Sequence, residues 1–133
     1  MTFQIKQGTQ QDISTRVVIV TMDTHLSSAT AMAARRLARQ YPGLVLEMHA
    51  ASEFCASEEA LVAVRAAIGR ANILLVSMLF LEDHFKPILS DLQAARDRVD
   101  AMLCIMSAAE VVRLTRLDRF DMSKPSGGLV SLL

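Results

Sequence analysis

Four short apolar runs recur along the chain: Val17-Val18-Ile19-Val20, Leu44-Val45-Leu46, Ile73-Leu74-Leu75-Val76 and Ala101-Met102-Leu103-Cys104-Ile105-Met106. None alternates apolar with polar residues, as a strand wetted on one face would. A strand that is apolar throughout has to be covered on both sides, and that is the signature of a parallel sheet between helices. Between the runs lie stretches with apolar residues at helical spacing. Strand and helix therefore alternate, and right-handed crossovers join the strands. The fold class expected is α/β: a doubly wound parallel sheet, Rossmann- or flavodoxin-like, of four or more strands with helices on both faces.

The connecting segments carry helix start and stop signals. Ser27 is placed to cap a helix running to about Tyr41, with Leu26, Ala29, Ala33 and Leu37 on its inner side and Pro42-Gly43 ending it. Ser57, followed by Glu58 and Glu59 at the positive end of the helix, opens a second one that buries Leu61, Val64 and Ile68. A third shows Phe85, Ile88, Leu89, Leu92 and Val99 on one stripe, with Pro87 tolerable only near its first turn. Ser107-Ala108-Ala109-Glu110 has capping-box spacing and predicts a helix toward Leu117. The organisation expected is a flexible polar segment at 1–15, the α/β domain at 16–117, and at 118–133 a linker with the start of a further element. In that last part Lys124-Pro125-Ser126-Gly127-Gly128 reads as a turn, and the apolar run at 129–133 as an element cut short, so the chain reads as a fragment of a longer one.

Composition removes several functions. The 14 basic and 14 acidic residues cancel, leaving no positive excess to neutralise nucleic-acid phosphates. No nucleic-acid partner is expected. Cys55 and Cys104 lie far apart, without CxxC or Cys/His ligand spacing, and read as reduced packing residues. No apolar run is long enough to span a bilayer, and the polar start resembles neither a signal nor a transit peptide. A cytoplasmic protein without a transmembrane segment is expected. GxGxxG, GxxxxGK[ST] and GxSxG are all missing, and Ser77 stands where a phosphoacceptor aspartate would end the third strand.

In an open parallel sheet, ligands collect beyond the carboxyl ends of the strands. That rule selects the loops at 21–25, 77–84 and 107–110, and with them Asp23, His25, Glu82, Asp83, His84 and Glu110. Of these, Asp23, His25, Glu82 and His84 are the candidate binding residues; no catalytic residue and no metal ligand is assigned. Polar residues in such places also cap helices and face water, and Phe80 and Leu81 can simply pack the next helix. His49, on or just after the second strand, reads as a packing or surface residue. Asp23-Thr24-His25-Leu26-Ser27-Ser28 resembles the DxHxxG of cobalamin-binding domains, where aspartate orients a cobalt-ligating histidine. Ser77-Met78-Leu79 resembles that family's SxL, but Ser28 replaces its glycine and Met106-Ser107 its Gly-Gly.

Longer strings carry a second resemblance. They are Val17-Val18-Ile19-Val20-Thr21-Met22-Asp23-Thr24-His25-Leu26, Ser77-Met78-Leu79-Phe80-Leu81-Glu82-Asp83-His84, and Asp100-Ala101-Met102-Leu103-Cys104-Ile105-Met106-Ser107-Ala108-Ala109-Glu110-Val111-Val112. In order, they resemble the amino-terminal domain of the large, porphyrin-binding H subunit of magnesium chelatase, which is related to the cobaltochelatase large subunit. Residues 114–123 are similar as well, with Asp118 where that family usually has glycine. The resemblance implies a part of the ligase that inserts Mg2+ into protoporphyrin IX, with ATP hydrolysed by partner subunits, in chlorophyll or bacteriochlorophyll synthesis. It implies as partners the remainder of the H subunit, two AAA+ subunits of the I and D types, and the Mg-protoporphyrin methyltransferase. A photosynthetic bacterium is the expected source, rather than a plastid. For this domain alone it implies recognition or docking without turnover, and the alternative is a free-standing tetrapyrrole module of the cobalamin type.

Overall fold

The computed structural model describes residues 2, 3 and 15–124. The apolar run at 129–133 lies outside them, as does most of the segment at 1–15. In chain order the elements are β1 (Thr2–Phe3), β2 (Thr15–Thr21), α1 (Ser27–Gln40), β3 (Leu44–Ala50), α2 (Ala51–Phe54), α3 (Glu58–Arg70) and β4 (Ile73–Ser77). They continue with α4 (Glu82–Arg96), β5 (Ala101–Ile105), α5 (Ala109–Val112), β6 (Arg116–Leu117) and β7 (Phe120–Asp121). All of these strands join one sheet in the order β1-β3-β2-β4-β5-β6-β7. Its centre, β3-β2-β4-β5, is parallel, and β1, β6 and β7 add antiparallel edges. The sheet is the doubly wound α/β arrangement the four apolar runs demand.

Direction of travel distributes the helices. The chain moves from β2 to β3 in one direction, then from β3 across to β4 and on to β5 in the other, so right-handed crossovers place α1 on one face and α3 and α4 on the opposite one. On the α3/α4 face, Val18, Val20, Leu74, Val76, Met102 and Cys104 meet Phe54, Val64, Ile68, Phe85, Ile88 and Leu92 in one buried cluster. Removing this much aliphatic and aromatic surface from water is the main stabilising term. Ser57 caps α3 as expected, its hydroxyl accepting from the Ala60 N–H at 3.3 Å. At the other end of α3, the Arg98 guanidinium donates to the carbonyls of Ile68 and Ala71 at 2.7 and 2.9 Å, reinforcing a helix end where Ile68 also accepts the Ala71 N–H at 3.4 Å.

Several expectations change. The inner side of α1 is Thr30, Ala34 and Ala38; Leu26, Ala29 and Ala33 are exposed. Small side chains win because they let the helix approach the sheet closely, with Thr30 buried against the Met48 sulfur at 3.6 Å. Ser27 does not cap α1 but is its first residue, and the Asp23 carboxylate instead closes the preceding turn. Pro87 sits within α4, past the first turn. Having no N–H, it leaves the Asp83 carbonyl without its helical donor, and the Cys55 thiol donates to that oxygen at 3.2 Å. The carbonyl of Pro87 itself accepts from the Arg65 guanidinium at 2.8 and 3.3 Å.

The helix expected up to Leu117 stops at Val112. Ser107 does not act as its cap, because its hydroxyl accepts from the Leu79 N–H at 3.0 Å and donates to the Ile105 carbonyl at 2.9 Å. Beyond the stub, the buried Thr115 hydroxyl bonds both the N–H and the carbonyl of Cys104 at 3.0 Å. That clamp turns the chain back along β5, and the β6–β7 hairpin extends the sheet past Leu117. Arg96 of α4 forms an ion pair with Asp121 and holds the hairpin, while Arg116 donates to the carbonyls of Arg96 and Val99. Ser123 and Arg96 together hold the Asp121 carboxyl well below the usual aspartate range.

Asp118, in the hairpin turn, has a φ of 53°, a conformation that glycine adopts without crowding. Relief of this left-handed strain, up to ~1–2 kcal/mol, should outweigh the ~0.5–1 kcal/mol entropic cost of a flexible residue. Asp118→Gly is expected to raise the thermal midpoint by a few degrees. A lower midpoint would contradict the reading.

Candidate functional site

The carboxyl ends of β2, β4 and β5 point to the same edge of the sheet, and the helices that follow β2 and β4 leave toward opposite faces. Between those two strands the connections diverge, which opens the crevice where doubly wound folds bind ligands. The loops of this rim are tied together. The Leu79 N–H donates to the Ser107 hydroxyl, and the Leu79 carbonyl accepts from the Ala108 N–H at 2.9 Å, so the turns after β4 and β5 form one unit. Thr21 and Ser77, at the ends of β2 and β4, share a buried hydroxyl hydrogen bond of 3.4 Å.

The four candidate residues fall into separate local arrangements. Asp23 accepts from the His25 backbone N–H at 3.0 Å, and the same carboxylate oxygen lies 3.0 Å from His25 Nδ1. The imidazole is otherwise in water, 87% exposed. Glu82 pairs with Lys86 one helical turn away at 3.0 Å, an exposed arrangement of little energetic weight, and it raises the Lys86 pKa. His84 stands in the first turn of α4 with Nδ1 shielded from solvent and without a hydrogen-bond partner. Neither a hydrogen bond nor an ion pair joins Asp23 and His25 to Glu82 and His84. Among the described residues, no three His, Cys, Asp or Glu side chains converge where a metal ion could be held.

The rim has an apolar component that sequence reasoning assigned elsewhere. Phe80 and Leu81 are not buried against α4; they are 52% and 59% exposed, and Leu79 is buried as the anchor of that loop. Leu26, Ile105 and Met106 are also exposed along the same edge. Met78 and Met106, directly after β4 and β5, hold φ values of 62° and 46°. Left-handed backbone is costly for residues with a Cβ and persists where surrounding bonds impose it, here the Ser107 and Leu79 links. The legible signal was the absence of glycine after either strand: a sharp exit without glycine throws large side chains outward.

A second feature lies beside the end of β3, where His49, Ala50, Glu53, Phe54, Ala60 and Ala63 line a half-open pocket of about 170 Å³. His49 is half-buried, and its Nε2 lacks a hydrogen-bond partner. Burial lowers the His49 pKa to about 4, so the ring is neutral at pH 7. The residue read as packing or surface is thus a half-buried, neutral imidazole on the wall of a cavity. Its folded pKa lies below the ordinary histidine value, so the fold should lose stability as pH falls from about 6.5 toward 4. On the order of 1 kcal/mol should be lost by pH 5, about half the unscreened linkage value because the ring is partly exposed. His49→Gln should flatten that part of the profile in denaturant titrations at pH 7 and pH 5; an unchanged slope would contradict the assignment.

Among the described residues, no helix is long and apolar enough to cross a membrane. Residues 16–133 match the model of a family described as a domain of unknown function, DUF3479. The magnesium-chelatase H subunit of Cereibacter sphaeroides is 44% identical over 117 residues, which is 88% of this chain and 10% of that protein. The corresponding H subunit of Rhodobacter capsulatus is 37% identical over the same share of each. The chloroplastic magnesium-chelatase ChlH subunit of Oryza sativa subsp. indica is 30% identical over 82% of this chain and 8% of that protein. The chain spans about a tenth of the length of the curated relatives it matches. With its α/β sheet and a match from residue 16 onward, the chain belongs to the DUF3479 domain family.

Proposed function

We propose that the chain is the amino-terminal domain of the porphyrin-binding subunit of a magnesium chelatase, and that it serves recognition or docking while the chemistry is done elsewhere. The observation that carries this is the 44% identity to a magnesium-chelatase H subunit over 88% of the chain. The whole enzyme would insert Mg2+ into protoporphyrin IX in chlorophyll or bacteriochlorophyll synthesis, with ATP hydrolysed by AAA+ partners of the I and D types. The remainder of the H subunit and the Mg-protoporphyrin methyltransferase complete the set of partners, in the cytoplasm of a photosynthetic bacterium. The rim supports a binding role. Exposed Phe80, Leu81 and Met106 offer a flat apolar ring a surface to leave water on, and the exposed His25 imidazole offers a polar group for a carboxylate arm.

The test is an insertion assay with the isolated domain, both AAA+ partners, ATP, Mg2+ and porphyrin. No turnover is expected, and turnover would contradict the docking role. In a parallel titration with soluble porphyrin, the Soret band should shift with wild-type domain and shift less with His25→Ala. An unshifted band in both would remove the porphyrin contact and leave a protein partner.

The Asp23–His25 pair favours a second reading. A carboxylate on Nδ1 leaves Nε2 of an exposed imidazole free, which is the arrangement a cobalt-ligating histidine needs. A free-standing cobalamin module would retain cobalt and colour on purification, and a colourless protein that takes up no added cobalamin would rule it out.

A further inference from the structure

Parallel strands are apolar on both sides, and the architecture normally keeps water from each. On the side away from α3 and α4, the pleat and register align Val17 with Ile73 and Ala101, and Ile19 with Leu75 and Leu103. Ile105 continues β5 on the same side. α1 packs over β3 and β1, at the far end of this face. The aligned side chains are only half-buried, and Ile105 is 41% exposed. The element that would cover them, a full helix returning after β5, is replaced by the four-residue α5 and the β6–β7 hairpin. Among the described residues, half of one sheet face is uncovered.

We propose that this face seats an amphipathic helix supplied by the same polypeptide downstream of β7, so that the domain is closed only within the full-length subunit. The proposal rests on the reading above that the chain is part of such a subunit. Three observations select the occupant. The chain leaves β7 on the β5 side of the sheet, next to the uncovered half. The matched relatives are about ten times longer than the matched region, so their domain has ample polypeptide attached to it. Apart from Thr21 and Ser77, which are buried and bond each other at its carboxyl end, the face is aliphatic, and separate proteins that must find each other by diffusion are commonly guided by complementary charge. A tethered segment needs no such guidance, because the tether supplies its effective concentration. The partner's form follows from the strands: the backbone groups of β2, β4 and β5 are already paired within the sheet, so only side chains remain to be covered, and an apolar helical stripe does that.

The experiment uses the full-length subunit, in a Cys55→Ala background that removes the exposed thiol of this domain, with labelling read at the introduced position by peptide mapping. Ile105→Cys and, separately, Leu103→Cys are compared in maleimide labelling with Val62→Cys, which is 60% exposed on α3. The two sheet positions should react about tenfold more slowly than position 62, since labelling has to wait for local opening. With a benzoylphenylalanine photo-crosslinker in place of Ile105, adducts should map within the same polypeptide, downstream of Asp121. Labelling as fast as at position 62, or adducts to a second copy, to an added AAA+ protein or to porphyrin, would overturn the proposal. Failure of the underlying reading is separate: it would appear as a full-length chain inactive in the chelatase assay, whatever its labelling pattern.

Discussion

Everything in this domain follows from the requirement that a parallel sheet be covered on both faces. The strands are apolar on each side, so the chain has to send helices above and below, and it does so by reversing direction at β2. On the α3/α4 face the requirement is met, with Leu74, Val76 and Met102 fully buried beneath Phe85, Ile88 and Leu92. On the other it is met over β3 by α1, whose Thr30, Ala34 and Ala38 permit close approach. The same reversal makes the crevice at the strand ends. The constraint that builds the core therefore also locates the rim.

What the rim presents depends on how the chain leaves the strands. Met78 and Met106 take a left-handed exit, the Ser107 hydroxyl and the Leu79 backbone lock the two exits together, and Phe80, Leu81 and Met106 are held outward. A surface fixed in this way loses little conformational entropy when something binds to it. The polar candidates around it satisfy each other locally, Asp23 with His25 and Glu82 with Lys86.

The sheet was legible in the sequence because a run such as Ile73-Leu74-Leu75-Val76 has few other ways to be satisfied. Ser57 was legible as a cap because it stands alone before a helix with two acidic residues in its first turn. Ser107 showed the same pattern and was misleading, since the Leu79 N–H, distant in sequence, competes for its hydroxyl. The burial of α1 was misread for a related reason: close approach to a sheet favours small residues over large ones, and only the packed structure shows which stripe is closest. Thr115 turning the chain back along β5 is a tertiary event with no local signature. At the rim, the loops were legible and the grouping of their polar residues was not. Asp23 with His25 is a short-range pair, whereas separation from Glu82 and His84 depends on how two loops diverge in space.

The central claim, that the domain recognises and does not catalyse, is tested most directly by kinetics of the full-length subunit carrying Asp23→Ala, His25→Ala, Glu82→Ala and His84→Ala together. Magnesium insertion would be followed against porphyrin concentration and against AAA+ partner concentration. A recognition role predicts that kcat stays near wild type while KM for porphyrin or the apparent affinity for a partner weakens about tenfold, the loss of roughly 1.4 kcal/mol of binding. A kcat reduced to background with KM unchanged would contradict it.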